Sequence, residues 1–372
     1  MKETFSFLLM AGFTLSLTAS PLTEPRIRQL KEEFERFNPE AAERALDDLS
    51  RNPGYDSVRH RAAVKALKEK RESVAAALNS TDPGKLEEAE RLIEGYRAAL
   101  LANPILDFDK ILCIHRKLQR PRIDFTGRRV GFNGLNAHNH MDMNRSGFDN
   151  EIVVISNLRG KPSYQTLYKP ADKSIVRDLD LDFDASHILF TSHRGGNLLG
   201  VYEIPAAGAS KPVEVSPSEH KDVEWWEGCY LPNRDQIVML GTAAYPSLPS
   251  EDGNMPRSVI YRKDRKTGKV TQLTYEQDSD YTPTVMNDGR ILFTRWEYSD
   301  LPHYFSRILM TMNPDGTCQL SLWGTGSYFP TFFYHARNVP GTANKVVMFA
   351  GGHHDRSEVG RMLLIDPSLA RA

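Results

Sequence analysis

Cysteine is scarce in this chain. Cys113, Cys229 and Cys318 are its three cysteines and lie far apart. An odd, sparse set of this kind is not a disulfide scaffold. No CxxC pair suggests a zinc ribbon, and no CxxCH offers covalent attachment to a c-type haem. Excess charge is missing as well. Forty-seven Lys and Arg against 48 Asp and Glu nearly cancel, so nothing asks for nucleic acid or an acidic membrane surface as a partner. There is no P-loop, no GxGxxG dinucleotide fingerprint and no GxSxG elbow. Long apolar runs are limited to residues 5–17, too short for a comfortable membrane span. Elsewhere charged and apolar residues are well mixed, as in a folded chain.

That single apolar run has the layout of a signal peptide. Lys2 precedes it, and the small residues Thr18, Ala19 and Ser20 follow it. Residues 1–20 are therefore expected to direct export, to the periplasm or outside the cell, and removal of this segment leaves no membrane span.

Residues 21–104 read as helices. Ile27, Leu30, Phe34 and Phe37 follow Pro25 at helical spacing. Asn38-Pro39 starts a second helix, with proline in the favoured first turn, and Asn52-Pro53-Gly54 breaks it. A third is expected through Val64, Leu67, Val74 and Leu78. Asp82-Pro83 caps a fourth, whose apolar stripe runs along Ala89, Leu92, Ile93, Tyr96 and Leu100.

From residue 105 to 372 the pattern changes to strands. A unit recurs four times: residues 179–192 (LDLDFDASHILFTS), 230–241 (YLPNRDQIVMLG), 282–295 (TPTVMNDGRILFTR) and a looser copy over 329–350. Each is a leading segment, a polar turn and an apolar strand. Aligned on Ile188, Ile237, Ile291 and Val346, the copies are spaced by 49, 54 and 55 residues. Strand repeats near 50 residues indicate propeller blades. Residues 107–115 look like a shortened copy, which brings the count to about five. The fold class is thus mainly β, a β-propeller of about five visible blades with an N-terminal helical segment. Residues 363–366 read as an inner blade strand. Two accounts of the exposed edge stay open: the helical segment masks it, or further blades belong to the complete propeller.

Several stretches are more particular: NPILDFDK at 103–110, GFDNEIVVIS at 147–156, residues 178–184, QDSDYTPTVMNDGRILFTRWEYSD at 277–300, Pro302-His303, MNPDGT at 312–317 and GGHH at 351–354. Together they make the chain resemble the middle domain of the hydrazine synthase alpha subunit and the exported proteins related to it. The repeat cores also resemble TolB-type propellers. The resemblance implies an exported bacterial β-propeller. It does not imply hydrazine synthesis, because that subunit carries its c-type haems through CxxCH motifs in flanking regions and this chain has no CxxCH. The segment NAHNHMDMN at 136–144 departs from the family pattern.

Two constellations are candidates for chemistry. His193, His303 and His353, with His354 adjacent, follow the apolar strands of their units, so equivalent loops would bring them to one mouth of the propeller. Three imidazoles with an open position suit zinc or a similar divalent metal. Against this stands the plainer reading of exposed loop histidines. Cys229 could add a thiolate, although a buried, inert cysteine is the commoner case. The second constellation is Arg295, Trp296, Glu297 and Tyr298. Strand alternation puts Arg295 and Glu297 on one face to orient a polar ligand, and Trp296 and Tyr298 on the other to stack on a sugar ring. Its structural counterpart is an Arg–Glu pair with aromatics wedged between blades. Trp225 and Trp226 point to opposite sides of their strand and suit packing. Residues 178–184 alternate Asp with Leu or Phe, which arranges the carboxylates in a row along a blade edge rather than around a calcium ion.

The function expected from these features is binding of a small polar or saccharide ligand, or a metal, at the propeller mouth. The alternative is a non-enzymatic scaffold that docks a protein partner.

Overall fold

A computed structural model describes residues 22–104, 106, 108–117, 145–158, 162–196, 198–208, 210–245, 257–276, 279–296, 307–325, 332–351 and 361–369, and the backbone alone of 122–123 and 129–130. The chain divides into two compact units, residues 1–109 and 110–372.

The first unit contains α1 (Glu24–Glu35), α2 (Pro39–Leu49), α3 (Ser57–Glu69), α4 (Arg71–Ala77) and α5 (Pro83–Leu101). Local chemistry sets the boundaries. The Asn38 side chain accepts from the Ala41 backbone N–H at the start of α2, and Asp82 accepts from Gly84 and Lys85 at the start of α5. Each is an N-cap followed by a first-turn proline. The third expected helix is divided into α3 and α4 at Lys70. Leu30, Leu46, Leu67 and Ile93 meet in the core of this bundle, and the Tyr55 hydroxyl donates to the Ala99 carbonyl at 2.7 Å.

The second unit is a five-bladed β-propeller. Blade 1 joins β1 (Lys110–Arg116), β4 (Asn150–Ser156) and β5 (Ser163–Tyr168). A two-stranded pairing of β2 (Arg122–Ile123) with β3 (Arg129–Val130) lies within the connection between β1 and β4. Blade 2 is β6 (Val176–Leu181), β7 (His187–Gly195), β8 (Leu198–Pro205) and β9 (Val213–Glu214). Blade 3 is β10 (Trp225–Tyr230), β11 (Gln236–Gly241), β12 (Val259–Asp264) and β13 (Val270–Gln272). Blade 4 is β14 (Asp280–Val285), β15 (Ile291–Trp296), β16 (Arg307–Met312) and β17 (Leu320–Trp323). Blade 5 is β18 (Phe332–Asn338), β19 (Val346–Gly351) and β20 (Arg361–Ile365). Every pairing is antiparallel. The segment at 363–366, expected as an inner strand, belongs to the third strand of its blade, because β20 pairs with β19 and not with the axis.

The apolar repeat strands β7, β11, β15 and β19 are second in their blades; β7, β11 and β15 meet a neighbouring sheet on both faces, whereas β19 buries alternate residues against blade 4. Burial on both faces accounts for the near-continuous apolar character of the first three. Leu189 packs with Ile237 and Met239 between blades 2 and 3, and Leu240 with Phe293 and Met310 between blades 3 and 4. The two adjacent tryptophans separate as alternation requires: Trp225 joins the former cluster and Trp226 the latter. Gly241 is required beside Trp225, because a Cβ there would stand 2.3 Å from Cζ3 of the indole. The turns at Asn287-Asp288-Gly289 and Pro314-Asp315-Gly316 form as expected, with the glycines at φ +86° and +89°.

Candidate functional site

The inner strands β6, β10, β14 and β18 share one irregularity. Each changes register against its second strand: between Arg177 and Asp180, Trp226 and Cys229, Tyr281 and Thr284, and Tyr334 and Arg337. In each bulge one residue takes a left-handed backbone: Asp178 at φ +56°, Glu227 at +48°, Thr282 at +48° and His335 at +51°. A β-bulge inserts an extra residue and re-aims side chains. Here it presents all four residues to one cavity of about 350 Å³, also lined by Arg116, Arg177, Asp180, Cys229 and Arg337. Residues from five different inner strands thus converge on the propeller axis. β1 contributes Arg116 from a regular strand with no register change.

A polar network crosses three of these strands. The Thr282 backbone N–H donates to Glu227 Oε2 at 2.5 Å. The other oxygen of Glu227 faces Arg177 Nη2 at 3.5 Å. Arg177 Nε in turn donates to Asp178 Oδ2 at 2.6 Å. The Glu227 backbone N–H is anchored on the Thr191 hydroxyl of β7 at 3.0 Å. Arg116 donates to the Val176 carbonyl at the start of β6. Its pKa is lowered to about 10, first by burial and then by the neighbouring Arg177, with Asp178 opposing.

Asp180 and Thr282 differ from the rest. Asp180 accepts from the Tyr230 N–H at 2.8 Å, yet burial raises its pKa to about 6, against the opposing effects of that bond and of Arg337. Thr282 is 6 % exposed, and its hydroxyl has no hydrogen-bond partner among the described residues. A β-branched residue in the left-handed region is a true outlier, and strained backbone of this kind concentrates at functional sites.

The bulge also changes the reading of residues 178–184. Asp178 and Asp180 reach the axial cavity, whereas Asp182 turns back to accept from the Ser186 and His187 backbones at 2.6 and 3.0 Å. Leu181 and Phe183 are exposed. The carboxylates form no continuous row, because the extra residue interrupts the two-residue period.

Three of the residues singled out from sequence, Arg295, Trp296 and His193, are placed away from this cavity. Arg295 is buried on β15, donating to Asp280 Oδ1 at 2.9 Å, Glu276 Oε1 at 3.0 Å and Gln319 Oε1 at 3.1 Å. Trp296 is 1 % exposed among Tyr281, Phe332 and Tyr334, with the Arg307 guanidinium 3.9 Å above its ring. His193 is half-buried on β7, and its carbonyl accepts from the Tyr202 hydroxyl at 3.4 Å. None of these three is among the described residues of the cavity lining. Glu297, Tyr298, His303, His353 and His354 lie outside the described residues, as do residues 1–20 and the segment 136–144. Cys229 lines the cavity, but burial, reinforced by Asp180, pushes its thiol pKa far up and keeps it protonated.

His335 and the bulge set were within reach of the repeat alignment. Asp178, Glu227, Thr282 and His335 stand ten, ten, nine and eleven residues before Ile188, Ile237, Ile291 and Val346. The chemical identities differ at each copy, so residue type alone does not reveal the correspondence.

Among solved structures, hydrazine synthase from Kuenenia stuttgartiensis is similar at 15% identity and a TM-score of 0.53, over 70% of this chain and 38% of that one. The likeness shows the propeller fold and nothing finer. A TolB protein from Agrobacterium tumefaciens is similar at 16% identity and a TM-score of 0.43, over 55% of this chain and 64% of that one. Oligogalacturonate lyase in complex with manganese gives 14% identity and a TM-score of 0.43, over 70% and 62%. This chain therefore spans less than two thirds of the length of each. No protein-family model matches it, and no curated protein does. No described helix is long and apolar enough to cross a membrane.

Proposed function

We propose that this protein is an exported β-propeller that binds a small polar ligand in its axial cavity. The observation that supports this is the convergence of four left-handed bulge residues, from four successive blades, on one space of about 350 Å³. That volume lies within the range of small-molecule sites. The described lining carries no Phe, Tyr or Trp, so a saccharide there would be held by hydrogen bonds rather than by stacking. Export rests on Lys2 and the apolar run at 5–17.

The test is a thermal-shift screen of neutral, anionic and cationic small polar compounds, run on the mature protein and on His335→Trp, which fills the cavity. Compounds that stabilise the wild type should lose their effect in the variant. Equal stabilisation of both, or none by any compound, counts against the cavity and favours a scaffold that docks a protein partner.

A divalent metal held by His193, His303, His353 and His354 is a separate proposal, resting on the place of His193 near the end of β7 and of His303, His353 and His354 after β15 and β19 in the sequence. Elemental analysis of purified protein, repeated on His303→Ala and His353→Ala, tests it. Stoichiometric metal lost from both variants is the expected result, and a metal-free wild type overturns it.

A further inference from the structure

The charge and burial of the cavity lining narrow the ligand class. Among the described residues three guanidiniums line it: Arg116 from β1, Arg177 from β6 and Arg337 from β18. Three carboxylates face them: Asp178, Asp180 and Glu227. Arg177 stands between Asp178 and Glu227 and answers both. Arg337 is exposed and, among the described residues, donates a hydrogen bond to the carbonyl of its neighbour Ala336 at 3.0 Å. Thr282 adds a buried hydroxyl with no partner among the described residues, on strained backbone, in the same cavity. A buried hydroxyl left unmatched is costly, and a ligand hydroxyl would satisfy it.

We propose that the axial cavity takes a small hydroxylated carboxylate, its charge held by Arg337 and a hydroxyl held by Thr282, with Asp180 taking up a proton as the anion enters. This deepens the preceding reading and rests on it.

The proton follows from the surroundings of Asp180. Asp178 and Asp182 flank it on its own segment, Glu227 and Cys229 approach from β10, and Arg337 approaches from β18. Arg337 favours the carboxylate, but burial outweighs it and Asp180 titrates near 6. A second anion in the cavity would push that value higher still. Binding therefore takes up a proton, and by linkage affinity rises as pH falls toward about 6 and levels off below it.

Three six-carbon probes separate the requirements: gluconate, with carboxylate and hydroxyls; sorbitol, with hydroxyls only; and hexanoate, with carboxylate only. Titration calorimetry on the mature protein at pH 7.5 and 5.5 should show gluconate binding best, with affinity about tenfold higher at pH 5.5 by linkage to one proton. Arg337→Gln should lose about tenfold for gluconate, the scale of one charge-assisted bond. Thr282→Val should lose several-fold for gluconate and nothing for hexanoate, with Thr282→Ser restoring the loss. Asp180→Asn, which keeps an acceptor for Tyr230, should bind with no pH dependence. Sorbitol binding as well as gluconate overturns the anion assignment and leaves the polar-ligand reading standing. Hexanoate matching gluconate overturns the role of Thr282. A pH-independent wild type overturns the role of Asp180. No binding by any probe at millimolar concentration overturns both this inference and the reading beneath it.

Discussion

Two of the charged clusters among the described residues of this propeller differ in what they face: one is closed, and the other borders a cavity. Around Arg295 in blade 4, each branch of the guanidinium has a partner: Asp280, Glu276 and Gln319. Asp280 is completely buried, and the Phe293 ring lies 5.1 Å from the guanidinium. At the axis, the cluster of Arg177, Asp178 and Glu227 is just as charged, but it borders a cavity that also holds the unmatched Thr282 hydroxyl and the raised Asp180. Buried charge alone therefore does not mark a site. A closed, satisfied cluster specifies packing, whereas a cluster on a cavity with groups left over has capacity for a ligand.

The sharpest test of this contrast is Asp280→Ala, which strands a buried guanidinium. It should cost about 3–5 kcal/mol in urea denaturation, whereas Arg295→Met with Asp280→Leu should recover most of the loss. A cost below about 1 kcal/mol for Asp280→Ala would break the claim that this cluster is structural. Gly241→Ala supplies the uncharged control in the same layer of second strands. Its Cβ would collide with Trp225, at a cost of about 1–3 kcal/mol. A smaller value would show that the blade core yields more easily than its packing implies.

Asp180 sharpens the axial side of the comparison. Its folded pKa of about 6 lies above the ordinary carboxylate value, so its contribution favours folding below about pH 4 and is lost as pH rises through 6. Asp180→Asn should therefore gain about 3 kcal/mol over wild type at pH 7.5 and almost nothing at pH 4, read from chemical denaturation at both values. Absence of that crossover would mean that Asp180 is better solvated or better paired than its position implies. The smallest effect expected is that of Thr282→Val in the absence of ligand. With no bond to lose, stability should change by less than about 1 kcal/mol. A larger loss would place Thr282 in a closed cluster like that of Arg295.

The blades were legible because the second strands β7, β11 and β15 are sandwiched on both faces and are therefore apolar almost throughout, as at Ile188, Leu189 and Phe190. The helix starts were legible because Asn38-Pro39 and Asp82-Pro83 act through neighbouring residues alone. The axial site was not. Strand alternation assigned Asp178 and Asp180 to a row, and one inserted residue cancelled that pattern. The prominence of Arg295 and Trp296 drew attention to chemistry that the fold uses in packing: one sits in an ion-pair cluster, the other under Arg307.

By itself, the sequence determined the periodic architecture, the turn positions and the separation of Trp225 from Trp226, because these follow from local pattern and short-range sterics. Only the tertiary structure decided which polar residues share a space. Asp178, Glu227, Thr282 and His335 are about fifty residues apart and chemically unlike. They meet because four inner strands bulge at the same level around one axis, which is a property of the assembled blades rather than of any segment.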